Sequence, residues 1–521
     1  MRYFPKSTFS FLLLISIFIL FNSCSSDDET LSTITVNAAD FFVTIEERPT
    51  AGQVLGTVDG STSQGSVSFS IIEQSVNGAF EIDASTGELK VVNPDLFNFD
   101  TNPIITGTVK VSNGNIFENA LVVIYLEDID DSNVFDGRIW LKTQAELDAF
   151  GANNYTHITG QLVIGTRYAL EFSDIIDLSP LSSLTSIGEN LFIAGNEDLA
   201  SLNGLQNLKF IGSHLYIFDN PSLSSLAELN KLTTVTMDLN IYQNQSLLNM
   251  DGLAIKHIGG ILNITSNPSL TNLLGFSELI SVGSIQIQSN PQLTNLKGFE
   301  NITEVSTLRL GGNDALLNLE GLENLTQIHA LLAIGACNLL TNLDELQNVH
   351  SSPAEITINF NNSLLNINAL SNSETVEYID VSNNPVLVNL QGLENITSAN
   401  EVYIYLNSSI TDLSGLNNLT TVDYLGISQN PNLSSIAGLE NLKTVQSSLF
   451  IEQNPTLANL NSLNNLETIG NDLRIVENSA LTDFCGLQTV IANNGPGNTY
   501  SVYGNAYNPT QQDILNGNCS L

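Results

Sequence analysis

The residue types that usually carry catalysis are present in this sequence, but they are not arranged for it. The five histidines are scattered, and no two have the spacing of a metal-binding helix. No nucleophile elbow, phosphate-binding loop or dinucleotide fingerprint occurs. The 54 acidic residues leave a glycosidase-like pair of carboxylates as an alternative. We expect a binding protein and not an enzyme, since most of the chain is a short regular repeat that offers no evident catalytic pocket.

Cysteine chemistry is also sparse. The four cysteines, at 24, 337, 485 and 519, have no metal-motif spacing. Cys337 belongs to the repeat. Cys485 and Cys519 flank the last segment and could close a loop as a disulfide in an oxidising compartment. A disulfide and two free thiols are both compatible with the sequence.

A ladder of asparagines is the most regular feature of the chain. Its thirteen positions lie 23 or 24 residues apart, each with aliphatic residues three and five positions before it and Leu or Ile three positions after it. Such a repeat indicates a solenoid in which Leu-x-Ile forms a short strand in every coil. The amides can hydrogen-bond to the turn backbone and to one another. The positions are Asn196, Asn220, Asn244, Asn267, Asn290, Asn313, Cys337, Asn361, Asn384, Asn407, Asn430, Asn454 and Asn478.

This repeat resembles the leucine-rich repeat family, whose consensus has Asn or Cys at the ladder position. Phrases such as GLENLKTV at 438–445 are most similar to the receptor L-domain type of repeat. The resemblance implies a long parallel β-solenoid of 13 coils over residues 161–484, with caps at 134–160 and 485–521. In the first cap, Thr143 and Glu146 form a capping box that opens a short helix. Arg167 stands where the first asparagine would be.

Aromatic residues are the candidate contacts of the solenoid with a ligand. The residue between the two inward-facing aliphatics of each strand points to solvent, and aromatics occupy this position, or the one two residues later, near both ends. Exposed aromatics on a rigid sheet are common contacts for a protein or sugar. The alternative is that they are good strand formers that stack on their neighbours. The candidates are Phe192, Tyr216, Phe218, Tyr242, Tyr403, Tyr405 and Phe450.

Residues 35–133 differ from the repeat, and their alternating apolar runs and turn residues predict a small antiparallel β-sandwich. The phrase GAFEIDASTGEL at 78–89 is a near-complete match to the central phrase of the cadherin repeat. FNFD at 97–100 falls on that family's Leu-Asp-x-Glu motif, and DIDDSN at 128–133 on its closing Asp-x-Asn-Asp-Asn. This stretch therefore resembles a cadherin repeat.

ERPTAG at 47–52 sits where the cadherin family has an early glutamate followed by a Pro/Gly turn. The resemblance implies a calcium site, because that family coordinates calcium through this glutamate and through acids in the middle and closing motifs. Oxygen ligands suit this hard cation, and extracellular modules typically bind it at about 10⁻⁴ to 10⁻³ M. Asn98 is neutral where the family has a carboxylate, and the Asp-x-Asp motif expected after Asp59 is missing. The alternative is a sandwich whose acids are merely solvated. The implied ligands are Glu47, Asn98, Asp100, Asp128, Asp130 and Asp131.

The start of the chain predicts an exported, lipid-anchored protein. Arg2 and Lys6 precede an apolar run that is too short to span a membrane and is typical of a signal peptide, here 1–23. The sequence FNSC at 21–24 resembles a bacterial lipobox, so Cys24 is the predicted lipidation site; an ordinary secretory signal is the alternative. Within the acidic tether at 24–34, SSDDE at 25–29 resembles a tag that sends some Gram-negative lipoproteins to the outer face of the outer membrane, and a solvated linker is the alternative.

A net charge of -39 makes nucleic acid and anionic membranes unfavourable partners. Together these features predict a mainly β protein that is held to the outer membrane by lipid and faces the cell exterior. The predicted role is calcium-assisted adhesion, or binding of a protein or glycan ligand on a cell or matrix surface, through the solenoid. The alternative is an accessory glycan-capture component of a cell-surface polysaccharide-degrading system.

Overall fold

The computed structural model describes residues 34–99, 101–102, 104–127, 133–167 and 172–521. It is mainly β, with small sheets in the first part and a long parallel β-solenoid of about 15 turns in the second. The predicted class, a small sandwich followed by a parallel solenoid, is confirmed. The predicted signal peptide and the lipidation site Cys24 lie outside the described residues. Within those residues, no helix has the length and apolar character needed to cross a membrane.

The first part packs a four-stranded, a three-stranded and a two-stranded sheet around one apolar core. Alternate residues of its long hairpin, including Val109 and Ile124, are fully buried. In the four-stranded sheet, Phe41–Glu46 pairs in parallel with Ile116–Glu127. The sequence predicts only antiparallel pairing, but these two strands are distant in the chain and are not joined by a hairpin, so they can pair in parallel. The strands are Val36–Ala38, Phe41–Glu46, Val54–Thr57, Gly60–Thr62, Ser68–Gln74, Phe80–Ile82, Glu88–Val91, Ile104–Asn113 and Ile116–Glu127.

The solenoid is one parallel sheet in which each coil pairs in register with the next. Each coil also has a Leu-x-x-Ile segment before its Leu-x-Ile strand, and a second short strand forms at the end of that segment. From His257 onward, the two strands merge into one in most coils. The strands are Val134–Phe135, Ile139–Leu141, His157–Ile158, Leu162–Gly165, Ser186–Ile187, Leu191–Ala194, Phe210–Ile211, Leu215–Phe218, Thr234–Val235, Leu239–Tyr242, His257–Thr265, Ser281–Gln288, Glu304–Gly311, Gln327–Gly335, Glu355–Asn359, Tyr378–Ser382, Ser398–Tyr405, Thr421–Ser428, Thr444–Glu452, Thr468–Ile469, Leu473–Val476 and Tyr500–Tyr503.

Helices are short and connect or cap the coils. The predicted capping box is confirmed: the Thr143 hydroxyl accepts the Glu146 N–H at 3.2 Å, and the Glu146 carboxylate accepts the Thr143 N–H at 3.2 Å. The α-helices are Gln144–Gly151, Gln488–Ala492 and Gln511–Leu515. The 3-10 turns are Pro94–Leu96, Ser179–Leu181, Ala227–Leu229, Leu274–Phe276, Asp344–Leu346, Asn368–Leu370, Asn461–Leu463 and Cys485–Leu487.

The solenoid core is filled by side chains that recur about every third residue. In one coil Leu293, Leu296, Phe299, Ile302 and Val305 are all essentially inaccessible to solvent. No single coil could bury this row by itself, so the coils are stable only when stacked.

The asparagine ladder joins the coils through buried hydrogen bonds. The Oδ1 of Asn290 accepts two hydrogen bonds from Asn267, one from the backbone N–H at 3.1 Å and one from the side-chain N–H at 3.4 Å. Its Nδ2 donates to the carbonyls of Ile264 and Gln288, each at 3.0 Å. The predicted amide-to-amide bonding is therefore confirmed. The residue before each rung has a left-handed backbone, such as Ser289 at φ 55°, and this turn aims the amide into the stack.

The ladder continues beyond both ends of its regular spacing. At the start, Leu162–Gly165 pairs in register with Leu191–Ala194, in agreement with the expectation that Arg167 stands where a first asparagine would be. The Ser173 hydroxyl donates to Asn196 Oδ1 at 2.5 Å and so takes part in the ladder there. At the far end, Asn505 accepts the N–H of Asn478 at 2.9 Å as a further rung. The predicted 13 coils are therefore too few, because the terminal coils have different lengths from the repeat.

Both ends of the solenoid contact other structure. A disulfide joins Cys485 and Cys519, the pairing that the sequence left open, with Cα atoms 4.9 Å apart. Near the other end, the Lys209 ammonium lies 4.0 Å from the Glu46 carboxylate of the sandwich. Burial raises the pKa of Glu46 to about 7, an effect that Lys209 opposes.

Replacing Cys337 with asparagine should stabilise the solenoid. The Cys337 thiol is fully buried, and its Sγ lies 3.5 Å from the Gly335 carbonyl. An amide at this rung can accept the Asn313 N–H and donate to two carbonyls, just as Asn290 accepts the Asn267 N–H and donates to the carbonyls of Ile264 and Gln288. We expect Cys337→Asn to raise the free energy of unfolding by about 1 kcal/mol, measured by denaturant titration.

Cys337→Ala is the matched control, because it removes the thiol without adding an amide, and it should not be more stable than the natural protein. A denaturation midpoint for Cys337→Asn at or below that of the natural protein would contradict this account of the ladder.

Candidate ligand-binding site

The predicted aromatic contacts form two clusters; in the N-terminal one the two phenylalanines are buried and the two tyrosines are half-buried. The rings of Phe192 and Tyr216 stack with centroids 4.6 Å apart, and those of Phe218 and Tyr242 stack at 4.7 Å. The Arg167 guanidinium lies 4.0 Å from the centroid of the Phe192 ring. Phe192 is only 6% exposed and Phe218 only 8%, against the expectation that they face solvent. Their faces are occupied by neighbouring side chains, so this cluster has the packing of a stabilising one.

The C-terminal cluster has a different geometry. Its ring centroids follow one another at 5.6 Å from Tyr378 to Tyr403, 5.0 Å to Tyr424 and 5.3 Å to Phe450. Neighbouring rings are tilted or edge-on and not stacked face to face, and all four are half-buried. We call these four residues the tyrosine patch. It crosses four consecutive strands of the sheet and leaves ring surface accessible.

Two members of the patch, Tyr378 and Tyr424, are absent from the sequence-based candidates. The strands begin earlier than the Leu-x-Ile core, so the residue two positions before the predicted outward position also faces outward. Inspection of that position could have found both tyrosines. Gly426 makes room for the Tyr424 ring, because a Cβ at this position would lie 2.9 Å from that ring. Tyr405, a predicted contact, lies two residues after Tyr403 on the same strand and is half-buried.

Charged side chains border the tyrosine patch. The Tyr403 hydroxyl donates to the Glu401 carboxylate at 2.9 Å, and burial together with this carboxylate raises the pKa of Tyr403. Next to Phe450, the Arg474 guanidinium forms an ion pair with Glu452 of the preceding strand. The patch therefore combines accessible ring surface with carboxylates held in fixed positions.

Asp380 is the least expected residue of this surface. It occupies an outward position directly opposite Tyr403, yet it is only 7% exposed. Its Oδ1 and the neighbouring Ser382 hydroxyl are buried without a well-formed hydrogen bond among the described residues. Burial raises the pKa of Asp380, an effect that nearby Ser382 and Asn359 partly oppose. Ser382 and Asn359 are hydrogen-bonding neighbours of this carboxylate, but its Oδ1 has no well-formed hydrogen bond among the described residues. Such an incompletely satisfied buried oxygen is costly for the fold and can accept from a further donor.

The implied calcium ligands are only partly described. Glu47 is buried, and its Oε2 accepts the N–H of Phe99 at 2.8 Å, which places it beside the FNFD motif. The Oδ1 of Asn98 accepts the N–H and the hydroxyl of Thr101, each at 2.9 Å. The other implied ligands, Asp100, Asp128, Asp130 and Asp131, lie outside the described residues. In the part of the chain that is described, no three His, Cys, Asp or Glu side chains are grouped for a metal.

Oxygen donors from Glu47 and the 97–99 segment fit the chemistry of calcium. Glu47 is a buried carboxylate oriented by the Phe99 N–H beside the FNFD motif, whereas the Oδ1 of the neutral Asn98 accepts two hydrogen bonds within a turn. Of the two described candidates, Glu47 therefore has the better placement.

Asp380→Asn should make the protein more stable near neutral pH. Because the folded state raises the pKa of Asp380 above its ordinary 3.8, its contribution to stability is fully present below that value. This contribution is lost as the pH rises through the folded-state pKa. The asparagine is neutral throughout, so we expect a gain on the order of 1 kcal/mol at pH 7 and little difference near pH 3, measured by thermal unfolding across this range.

The exposed Asp198 is a suitable control, since Asp198→Asn removes the same charge from an open position. A pH 7 melting temperature for Asp380→Asn below that of both the natural protein and this control would show that the carboxylate is satisfied.

No family model matches the chain. Protein dachsous of Drosophila melanogaster is 32% identical over 101 residues, which are 18% of this chain and 3% of that protein. The structure of protocadherin gamma B2 extracellular cadherin domains 1–5 matches 19% of this chain and 21% of its own, at 17% identity and a TM-score of 0.17. The protocadherin gammaB4 extracellular domain matches 21% and 20%, at 14% identity and a TM-score of 0.17. The chain thus spans a small part of each relative, and its similarity to cadherin proteins is weak and confined to about a fifth of its length.

Proposed function

We propose that this protein is a surface adhesin that binds a ligand on a cell or matrix through the tyrosine patch of its solenoid. The observation that carries the proposal is the open band of four rings from Tyr378 to Phe450 on one rigid sheet. Aromatic residues dominate the energy of recognition surfaces because they supply large contact area at low cost in side-chain entropy.

The contrast with the N-terminal aromatic cluster supports this choice of surface. In that cluster the rings of each pair stack face to face and cover one another, and both phenylalanines are buried. In the tyrosine patch the tilted rings remain half-exposed. The parallel sheet beneath fixes their positions before a ligand arrives, which lowers the entropic cost of binding.

The proposed setting is the outer face of the outer membrane, with lipid on Cys24 as the anchor. The lipobox resemblance supports this location, and so does the acidic tether. The solenoid, of leucine-rich or L-domain type in this proposal, then extends from the cadherin-like sandwich toward the surroundings. Calcium at Glu47 and the acids of the closing motif stiffens the base, where Lys209 and Glu46 join sandwich and solenoid.

A second candidate is an accessory glycan-capture component of a cell-surface polysaccharide-degrading system. It is favoured by the carboxylates beside the rings, Asp380, Glu401 and Glu452, because sugar hydroxyls are hydrogen-bond donors. Both candidates use the same surface and differ in whether the captured material is afterwards degraded by other proteins.

Substituting two patch tyrosines should weaken adhesion. We expect beads coated with the Tyr403→Ala, Tyr424→Ala double variant to be retained on cells or matrix at least tenfold less than beads with the natural protein, because two contact rings are lost. A tenfold change corresponds to about 1.4 kcal/mol. Retention under flow is the measurement.

Tyr503→Ala is the matched control, since Tyr503 is 50% exposed on the last strand of the sheet, beyond the patch. Beads coated with the natural protein and beads coated with the Tyr503→Ala variant should be retained equally. Retention of the double variant at the natural level would rule out the patch as the adhesive surface.

Calcium should bind the full chain weakly and stabilise it. We expect calorimetric titration to give a dissociation constant of about 10⁻⁴ to 10⁻³ M, and millimolar calcium to raise the melting temperature because the ion binds only the folded state. Glu47→Gln keeps an acceptor for the Phe99 N–H but removes the charge, so it should abolish most of this shift.

Glu81→Gln, at an exposed position of the same domain, should leave the shift intact. A natural protein that shows neither binding heat nor a melting shift with millimolar calcium would exclude the site.

A further inference from the structure

The tyrosine patch has the shape of a band that runs across the strands. Its rings come from four consecutive strands and alternate between two outward positions, so that the centroids advance by 5.0 to 5.6 Å at each step. Neighbouring strands are about 4.8 Å apart, and this repeat is close to the length of one sugar residue in an extended chain. A linear ligand lying across the strands would therefore meet a similar surface at each residue.

The polar groups of the band are mostly acceptors. Glu401 accepts the hydroxyl of Tyr403 at 2.9 Å, and Glu452 is paired with Arg474. The Asp380 side chain is only 7% exposed, and its Oδ1 lacks a well-formed hydrogen bond in the described structure. A ligand that supplies an O–H here would relieve a cost that the protein alone carries.

We propose that the tyrosine patch binds an extended, uncharged polysaccharide, with sugar rings against the aromatic side chains and a sugar hydroxyl donating to Asp380. Rotation of an adjoining tyrosine side chain uncovers the Asp380 oxygen, a type of side-chain change that is common on binding. This inference rests on the proposed function, of which it names the ligand class.

Charge excludes anionic polysaccharides from this surface. Asp380, Glu401 and Glu452 outnumber the cation Arg474 around the band, and the whole chain carries a net charge of -39. Sulfated or uronate chains would be repelled. Sugars without charge satisfy the acceptors and incur no such repulsion.

The same carboxylates argue against a protein ligand. Centres of protein interfaces are depleted of charged residues, because unpaired charges lose hydration there. In the tyrosine patch the charged residues are interleaved with the rings: Asp380 lies opposite Tyr403, and Glu401 shares its strand. Sugar rings fit this alternation, since they present C–H groups on their faces and hydroxyls at their edges.

The test is a calorimetric titration of the full chain with β-linked neutral hexaoses of glucose, mannose and galactose, and with heparin as the anionic probe. We expect at least one neutral hexaose to bind, a shorter oligomer of the same sugar to bind more weakly, and heparin not to bind. Tyr403→Ala and Asp380→Asn should each raise the dissociation constant tenfold or more. Tyr503→Ala should leave it unchanged.

We expect the Asp380→Asn variant to be more stable than the natural protein and yet to bind less sugar. Weaker binding by this variant could therefore not be explained by unfolding. Failure of all three neutral hexaoses to bind, binding of heparin in their place, or hexaose binding that both substitutions leave unchanged would overturn the proposal.

Bead retention distinguishes failure of this inference from failure of the proposed function. Loss of retention after periodate oxidation of the target surface, but not after protease treatment, supports a glycan ligand. If retention depends on Tyr403 but is removed by protease and not by periodate, the patch is still the adhesive surface, and the proposal of a glycan ligand is overturned. Retention that is independent of Tyr403 and Tyr424 overturns both.

Discussion

The hydrogen bonds of the buried asparagine amides are the constraint on which the rest of the solenoid depends. Every coil must turn sharply after its strand, and the turn leaves backbone groups inside the molecule that water cannot reach. An amide meets this need because it donates twice and accepts twice at one position. Asn290 uses all four capacities, two toward carbonyls and two from Asn267. Each rung therefore closes its own turn and fixes the next coil in register.

A fixed register has a consequence for function. Residues at the same place in successive coils form straight rows, so a surface of chosen chemistry can be built by substitution at one or two positions of the repeat. The two aromatic clusters use the same sheet in different ways. Phe192 and Tyr216 stack in parallel and close their own surface, whereas Tyr403 and Tyr424 alternate between two rows and remain open. The difference lies in the offset of the rings.

Periodic features of this protein could be predicted, and local departures from the period could not. The ladder, its amide bonding and the capping box at Thr143 follow from spacing and residue type. Ser173 and Asn505 could not be recognised as ladder partners, because the segments before and after them differ in length from a repeat.

The same distinction applies to the candidate site. Tyr403 and Phe450 are on the predicted face, but Tyr378 and Tyr424 depend on where each strand begins, which neighbouring coils determine. The burial of Asp380 depends on side chains about 23 residues away in sequence and one strand away in space. Such lateral contacts leave no local signal in the chain.

The modular energetics of a solenoid explain how so costly a residue can persist. Stability is approximately a sum over coils and the interfaces between neighbours, so a local cost does not spread through the molecule. Asp380 weakens one coil, while the core leucines and ladder amides of that coil remain intact. The cost of burying Asp380 therefore lies beside the open rings, where the binding groups are concentrated, and the other coils do not share it.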